Sequence, residues 1–333
     1  MTIEEPQKKP RVSLGLLTFG PPGTEPYGTR ITSLDEFNEC LDYLQSRGYH
    51  EVDTARTYVD GHQEGWTRRT GWHDRGLKLA TKWYPYQAGD HAKAIVKSNL
   101  TKSLHELGTD SVDIFYLHAP DRATPFQETL EACNELYAEG KFRQLGLSNY
   151  AAWEVAELWT IADQRGWVKP TVYQAMYNCL TRAMEEELVP CCRKYGLEVL
   201  VYNPLAGGVL SGRYQSKEIP DDGGRYSTVD PVVGAMYRER YFKDVNFEAL
   251  KVVKPVADRL GLTLLEIAFR WLVHHSQLRV RDGQDGIVIG ISSLAQLKSN
   301  LDDLEKGPLP EEVLDALDLA WTITKPSCSL YWR

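Results

Sequence analysis

The chain has 333 residues, 42% of them apolar and 25% charged, the make-up of a folded globular protein and not of a disordered one. Its 38 Lys and Arg against 46 Asp and Glu leave a net charge of −8, which gives no broad basic footprint for nucleic acid or an anionic membrane. No apolar run approaches the ~18 residues of a membrane span, and the polar segment Met1–Pro10 lacks the apolar core of a signal peptide.

In chain order, Val12–Phe19 reads as the first strand. Ser33 and Glu36 form a capping box, and Leu34, Phe37, Leu41 and Leu44 recur there at helical spacing. Strands follow at Glu51–Thr54 and Lys78–Lys82. Val96, Leu100, Leu104 and Leu107 stripe the next helix, and Val112–His118 is the fourth strand. Thr124-Pro125 opens a helix that Gly140 closes. Arg143–Ser148 is the fifth strand, Ala152, Val155, Ala156, Trp159 and Ala162 line a helix, and Thr171–Ala175 is the sixth strand. A helix over about 183–195 leads to Glu198–Tyr202. The segment 203–246 is irregular and holds Gly207, Gly208, Gly212, Gly223 and Gly224; a loop of that length is usually functional. Helices over about 247–260 and 263–275 precede the strand Gly286–Ile289, and helices over about 293–304 and 310–322 follow it.

Eight βα units in series predict an α/β fold, a (β/α)8 TIM barrel. Its additions are a long glycine-rich loop after strand seven, an extra helix and a C-terminal tail. We expect a flexible tail over 1–10 and one barrel domain over 11–333. No GxGxxG follows a strand and no GxxxxGK[ST] occurs, which argues against a doubly wound sheet or a phosphate loop. The six cysteines form no CxxC pair and the His and Cys residues lack ligand spacing. We therefore expect reduced, structural thiols in a cytoplasmic protein and no metal site.

Nearly every strand ends, at its C-terminal side, in something reactive. These ends hold Asp53 with Tyr58 five residues on, Lys82, His118, Ser148-Asn149, Gln174, Tyr202-Asn203 and Ser292-Ser293. In a parallel barrel these ends converge on one face, where barrel active sites lie. Asp53, Tyr58, Lys82 and His118 make chemical sense together. A lysine cation favours phenolate and lowers the tyrosine value, so Tyr58 can act as an acid. Asp53 would orient Lys82, and His118 would bond the reacting oxygen. The set suits carbonyl reduction, with a hydride from a cofactor and a proton from Tyr58.

Asp53-Thr54-Ala55, Tyr58, Lys82 and His118 resemble the tetrad of the aldo-keto reductases. So do IFYLHAPD at 114–121, GLSNYAAWEVAE at 146–157, PTVYQAMYN at 170–178, NPLAGGVLSGRY at 203–214, MYRERY at 236–241, HHSQL at 274–278 and GISSLAQLKSNL at 290–301. They are similar to the aflatoxin aldehyde reductase and succinic semialdehyde reductase branch. The resemblance implies an NADPH-dependent reductase, with NADH as an alternative cofactor. Tyr58 would be the general acid, tuned by Lys82 and Asp53, and His118 would orient the carbonyl. Ser148, Asn149 and Gln174 would bond the nicotinamide carboxamide and Tyr202 would stack on its ring. Asn203, Pro204, Leu205, Gly207, Gly208, Leu210, Gly212 and Arg213 would wrap the pyrophosphate, where glycines permit close backbone approach.

Ser292, Ser293, Gln296 and Asn300 would hold the adenosine end; Ser-Ser opening a helix suits a phosphate, and equally an ordinary N-cap. Many family members hold the 2′-phosphate here with a lysine and an arginine, where this chain has Gly290 and Gln296. Lys298, Arg213 and Arg225 are the substitutes, and Arg225 matches a cofactor-contacting arginine of the branch. Tyr237, Arg240 and the C-terminal Arg333 would be substrate residues, the arginine forks suiting a carboxylate. Trp83 and Tyr84 would wall the pocket. Two departures from the branch stand out: the stretch Leu17–Gly28 after strand one, and Arg56 between Asp53 and Tyr58 where an apolar residue is usual. The branch is often dimeric, so a homodimer is an expectation, and the expected partner is a small carbonyl compound. The alternatives are a cofactor-binding regulatory protein of the channel-subunit kind and a pathway-specific reductase of secondary metabolism.

Overall fold

Side chains alternate across a strand, so each strand of a closed barrel sends one set inward and the other to the surrounding helices. The computed structural model describes residues 9–214, 216–220, 224–226 and 233–333. Residues 1–8 of the expected tail and Gly223 lie outside them. Eight parallel strands close in chain order: β1 Arg11–Gly15, β2 Glu51–Asp53, β3 Lys78–Trp83, β4 Val112–Leu117, β5 Phe142–Ser148, β6 Pro170–Met176, β7 Glu198–Tyr202 and β8 Gly286–Gly290. The helices are α1 Leu34–Ser46, α2 Gln63–Arg68, α3 Lys93–Leu107, α4 Phe126–Ala138, α5 Ala152–Arg165, α6 Leu188–Tyr195, α7 Val233–Tyr241, α8 Asp244–Leu260, α9 Leu264–His274, α10 Leu294–Leu304 and α11 Glu311–Thr324. Among the described residues no helix is long and apolar enough to cross a membrane.

The alternation yields two cores. Ala80, Ile114, Tyr116, Val172, Leu200 and Val288 fill the barrel, while the larger cluster, including Leu79, Phe115, Leu145, Tyr173 and Val199, packs between strands and helices. Tyr116 fits because position 146 is glycine: a Cβ there would lie 2.2 Å from its ring. The upper end of the same inward rows carries polar residues. Lys82 lies beside Tyr116 in the β3–β4 register and Ser148 beside Gln174. At the lower end Arg11 bridges Glu51 at 2.9 Å and Glu198 at 2.6 Å. Lys9 reaches Glu305 at 3.2 Å, and Pro10 is buried.

Three expectations change. The first strand stops at Gly15, because Phe19 N bonds back to Leu16 O in a turn. The segment after β7 is less irregular than its glycines suggest: a 3₁₀ turn spans Ala206–Ser211, α7 follows, and α8 starts at Asp244. The sixth helix starts at Leu188, because Asn178 and Thr181 pair in a tight turn and residues 184–187 remain turns. Beyond one helix per strand, the β7–β8 connection holds two additional helices and the segment after β8 one more, α11, which packs against α8.

Candidate active site

Lys82 is fully buried at the top of β3. Its ammonium pairs with Asp53 Oδ1, donates to Thr54 O at 2.7 Å, and lies 3.5 Å from the Tyr58 hydroxyl. The other Asp53 oxygen accepts from Gln174 Nε2 at 2.8 Å. A buried carboxylate is thus held on both oxygens, as a desolvated charge requires. His118 stands edge-on to Tyr58, with ring centroids 6.0 Å apart, and to Tyr84 at 5.5 Å. The four residues expected to carry the chemistry share one small volume at the C-terminal face.

The electrostatics differ from the expected lowering of Tyr58. Burial pushes its phenol well above the ordinary value, and the Asp53 carboxylate adds to this. Desolvation of the phenolate outweighs the opposing charge of Arg225. Burial lowers the Lys82 ammonium while Asp53 opposes the shift. Burial and the Lys82 charge hold the His118 imidazole well below its usual range, so it is neutral at neutral pH.

Above the cluster, Asn149 adopts a left-handed conformation, φ 62°. Its amide donates to His118 O at 2.8 Å and to Ser148 Oγ at 3.0 Å, and its oxygen accepts from the Tyr202 hydroxyl at 2.8 Å. Ser148, Asn149 and Tyr202 therefore form one connected group. Gln174 sits lower, against Asp53. Asn203 is also left-handed, φ 57°, with its side chain between Tyr237 and Tyr241 hydroxyls at 3.0 and 2.9 Å.

A cleft of about 540 Å³ leads away from this point, lined by Asn203, Pro204, Leu205, Gly207, Gly208, Arg213, Arg225, Tyr237, Ser292, Gln296 and Asn300. Leu210 is core, and Gly212 closes the 3₁₀ turn in a left-handed conformation. Ser293 accepts from Gln296 N at 3.3 Å while Gln296 Oε1 accepts from Ser292 N at 2.8 Å; these residues form the N-cap of α10. Lys298 lies over the Tyr43 ring, 5.3 Å from its centroid, and is not on the wall. Thr18 and Arg30, on the β1–α1 connection, are on the wall and were not expected. The departure noted at Leu17–Gly28 was the signal, but Arg30 falls two residues beyond it. Among the described wall residues are three arginines, Arg30, Arg213 and Arg225, and no Asp or Glu.

Arg333 N donates to Asn149 O at 3.0 Å and its guanidinium lies 3.5 Å from the Tyr84 hydroxyl. Arg240 faces Tyr202: burial pushes that phenol up to about 12, and the Arg240 charge pulls the other way. Trp83 donates to Asp90 O at 2.8 Å and its ring meets Tyr86. Arg56 turns neither outward nor toward the substrate side; it is buried against Glu64.

Comparison with known proteins gives this arrangement its family. Residues 11–322 match the model of the aldo/keto reductase family, and the chain belongs to that family of NAD(P)-dependent oxidoreductases. An aldo-keto reductase of Pseudocercospora fijiensis is 43% identical over 296 residues, 88% of this chain and 99% of its own. Aflatoxin B1 aldehyde reductase member 2 of Homo sapiens is 44% identical over 321 residues, 93% of this chain and 88% of its own. Aflatoxin B1 aldehyde reductase member 4 of Homo sapiens is 40% identical over 342 residues and covers both chains fully.

Proposed function

We propose that the protein reduces aldehydes or ketones to alcohols with NADPH, in the cytosol, with Tyr58 as the proton donor. One observation carries the reading: a cleft whose described wall holds three arginines and no carboxylate, in a chain of net charge −8, has on that wall Tyr237 and Arg225, the two cleft residues whose charges act on the buried Tyr58 phenol. An arginine-lined wall suits a ligand with several phosphates, since guanidinium forks match phosphate oxygens. Asn203–Arg213, Arg225, Ser292, Gln296 and Asn300 would hold the dinucleotide, and Ser148, Asn149 and Tyr202 its nicotinamide end. The bound cofactor supplies a hydride.

The chain's own residues do the rest. Tyr58 keeps its proton across the neutral range, so it is ready to give it to the oxygen of the reduced carbonyl. Lys82, 3.5 Å away, then faces the phenolate left behind and stabilises it. Asp53 opposes the lowering that burial imposes on that ammonium, and Thr54 O helps hold it in place. Neutral His118 orients the carbonyl oxygen without adding a charge. Arg240, whose charge acts on Tyr202, and Arg333, beside Tyr84, suit a substrate with a distal carboxylate, such as a semialdehyde, or a second carbonyl.

Loss of NADPH absorbance is to be followed with succinic semialdehyde, a dialdehyde, an aromatic aldehyde and an ortho-quinone, beside the same assay with NADH. We expect turnover with NADPH, and a ~10²–10⁴-fold lower kcat in Tyr58→Phe with cofactor affinity little changed. Tight NADPH binding without turnover of any carbonyl would leave a binding protein. Wild-type turnover in Tyr58→Phe would remove the proton-donor role.

A further inference from the structure

The turn that carries Tyr58 is held from below by a buried ion pair. Val59 and Asp60 both adopt left-handed conformations, φ 54° and 50°. A β-branched residue rarely does so, and such a turn persists only where its surroundings over-determine it. Arg56 supplies the constraint. It is 8% exposed, its Nη1 pairs with the fully buried Glu64 at 2.5 Å, and its Nη2 donates to Gly61 O at the far end of the turn. The second Glu64 oxygen accepts from Thr81 Oγ1 at 2.6 Å, and Arg56 N donates to Lys82 O at 3.0 Å. Thr81 and Lys82 are neighbours on β3. One guanidinium therefore ties the Tyr58–Gly61 turn to the strand that presents Lys82.

We propose that Arg56 is a positioning residue that sets the Tyr58 hydroxyl at its working distance from the Lys82 ammonium. The inference rests on the reading of Tyr58 as proton donor. Neither charge of the Arg56–Glu64 pair lies in the cofactor cleft, so its loss acts on the chemical step and spares cofactor binding.

Three variants test this: Arg56→Met, Arg56→Lys, and Arg56→Met combined with Glu64→Gln. The combined variant leaves no unpaired buried carboxylate, so it carries the test where Arg56→Met fails to fold. The measurements are kcat, NADPH affinity by quenching of protein fluorescence, and hydrogen exchange at the amides of residues 58–62. We expect kcat to fall ~10–100-fold, the scale of a small misplacement of a reacting group. NADPH affinity should stay within about twofold of wild type, and exchange should rise at the turn but not along β3. Arg56→Lys keeps a cation on Glu64 without the fork that also reaches Gly61, so it should fall between.

A folded combined variant with wild-type kcat overturns the inference. So does a loss of kcat matched by an equal loss of NADPH affinity, which marks general destabilisation. Tyr58→Phe runs alongside. If it loses turnover while the Arg56 variants do not, Arg56 alone is misassigned. If it keeps turnover, the proton-donor reading falls and this inference with it.

Discussion

At Tyr58 and His118 burial decides the protonation state, and it does so again at His91. That side chain is 1% exposed in the β3–α3 connection, and burial pushes its imidazole down to about 4. In the unfolded chain a histidine binds its proton near ~6.5. Between those values the unfolded state holds more protons, so stability is full above ~6.5 and is lost as pH falls toward the folded value. From pH 7 to pH 5 this one group should cost about 2 kcal/mol. His91→Gln keeps the backbone contacts to Asp121 and Thr129 and removes the titration. Urea unfolding at the two pH values should show the wild type losing about 2 kcal/mol more than the variant; equal losses would refute the assignment. The identities at the site were legible in the sequence, because polar residues at successive strand ends must meet on one barrel face. Their environments were not. Whether Lys82 or burial governs Tyr58 depends on packing density, and Arg56 finds Glu64 only once α2 folds back under the turn.

Strands and long helices were readable from apolar runs and 3.6-residue stripes, whereas α2 has six residues, too few to show a period. Turns were readable where glycine marks them, but the reason for the glycine lies in a distant element. Gly207 has φ +66°, and a Cβ there would meet the Tyr237 ring at 2.6 Å and the Tyr226 hydroxyl at 2.7 Å. Tyr226 in turn donates to Ala206 O at 2.8 Å, so the tyrosine and the turn fix each other. Gly207→Ala must displace that packing on the wall of the cleft. NADPH should bind ~10-fold more weakly, or about 1.4 kcal/mol, by fluorescence titration. Gly166→Ala is the control: its φ is +64° with nothing within 4 Å. It carries the same backbone strain away from the cleft, and should lower stability while leaving affinity unchanged. A similar loss of affinity in both variants would mean that the cleft responds to stability alone.

At the scale of the whole molecule, the barrel was legible because eight alternating units leave few other closed solutions. Net charge was the weaker guide. A total of −8 excludes a broad basic surface, yet the described wall of the cleft gathers arginines from the β1–α1 connection, from Arg213 and from Arg225. A sum over the chain cannot report where the arginines gather, and folding alone brings the three segments together. That gathering has a measurable consequence. Ligand that binds only the folded state stabilises it by mass action, ~2.7 kcal/mol at one hundred times Kd, which for a chain of this length is a rise in Tm of ~4 °C. NADP+ carries one phosphate more than NAD+, and the arginine wall should convert that difference into affinity. At equal concentration NADP+ should therefore raise Tm further than NAD+. The gap should shrink between low and high salt, because screening weakens the part of binding that depends on charge. Equal shifts for the two nucleotides at low salt would show that the cleft does not distinguish the extra phosphate, and the preference for NADPH would have to be withdrawn even if carbonyl reduction stood.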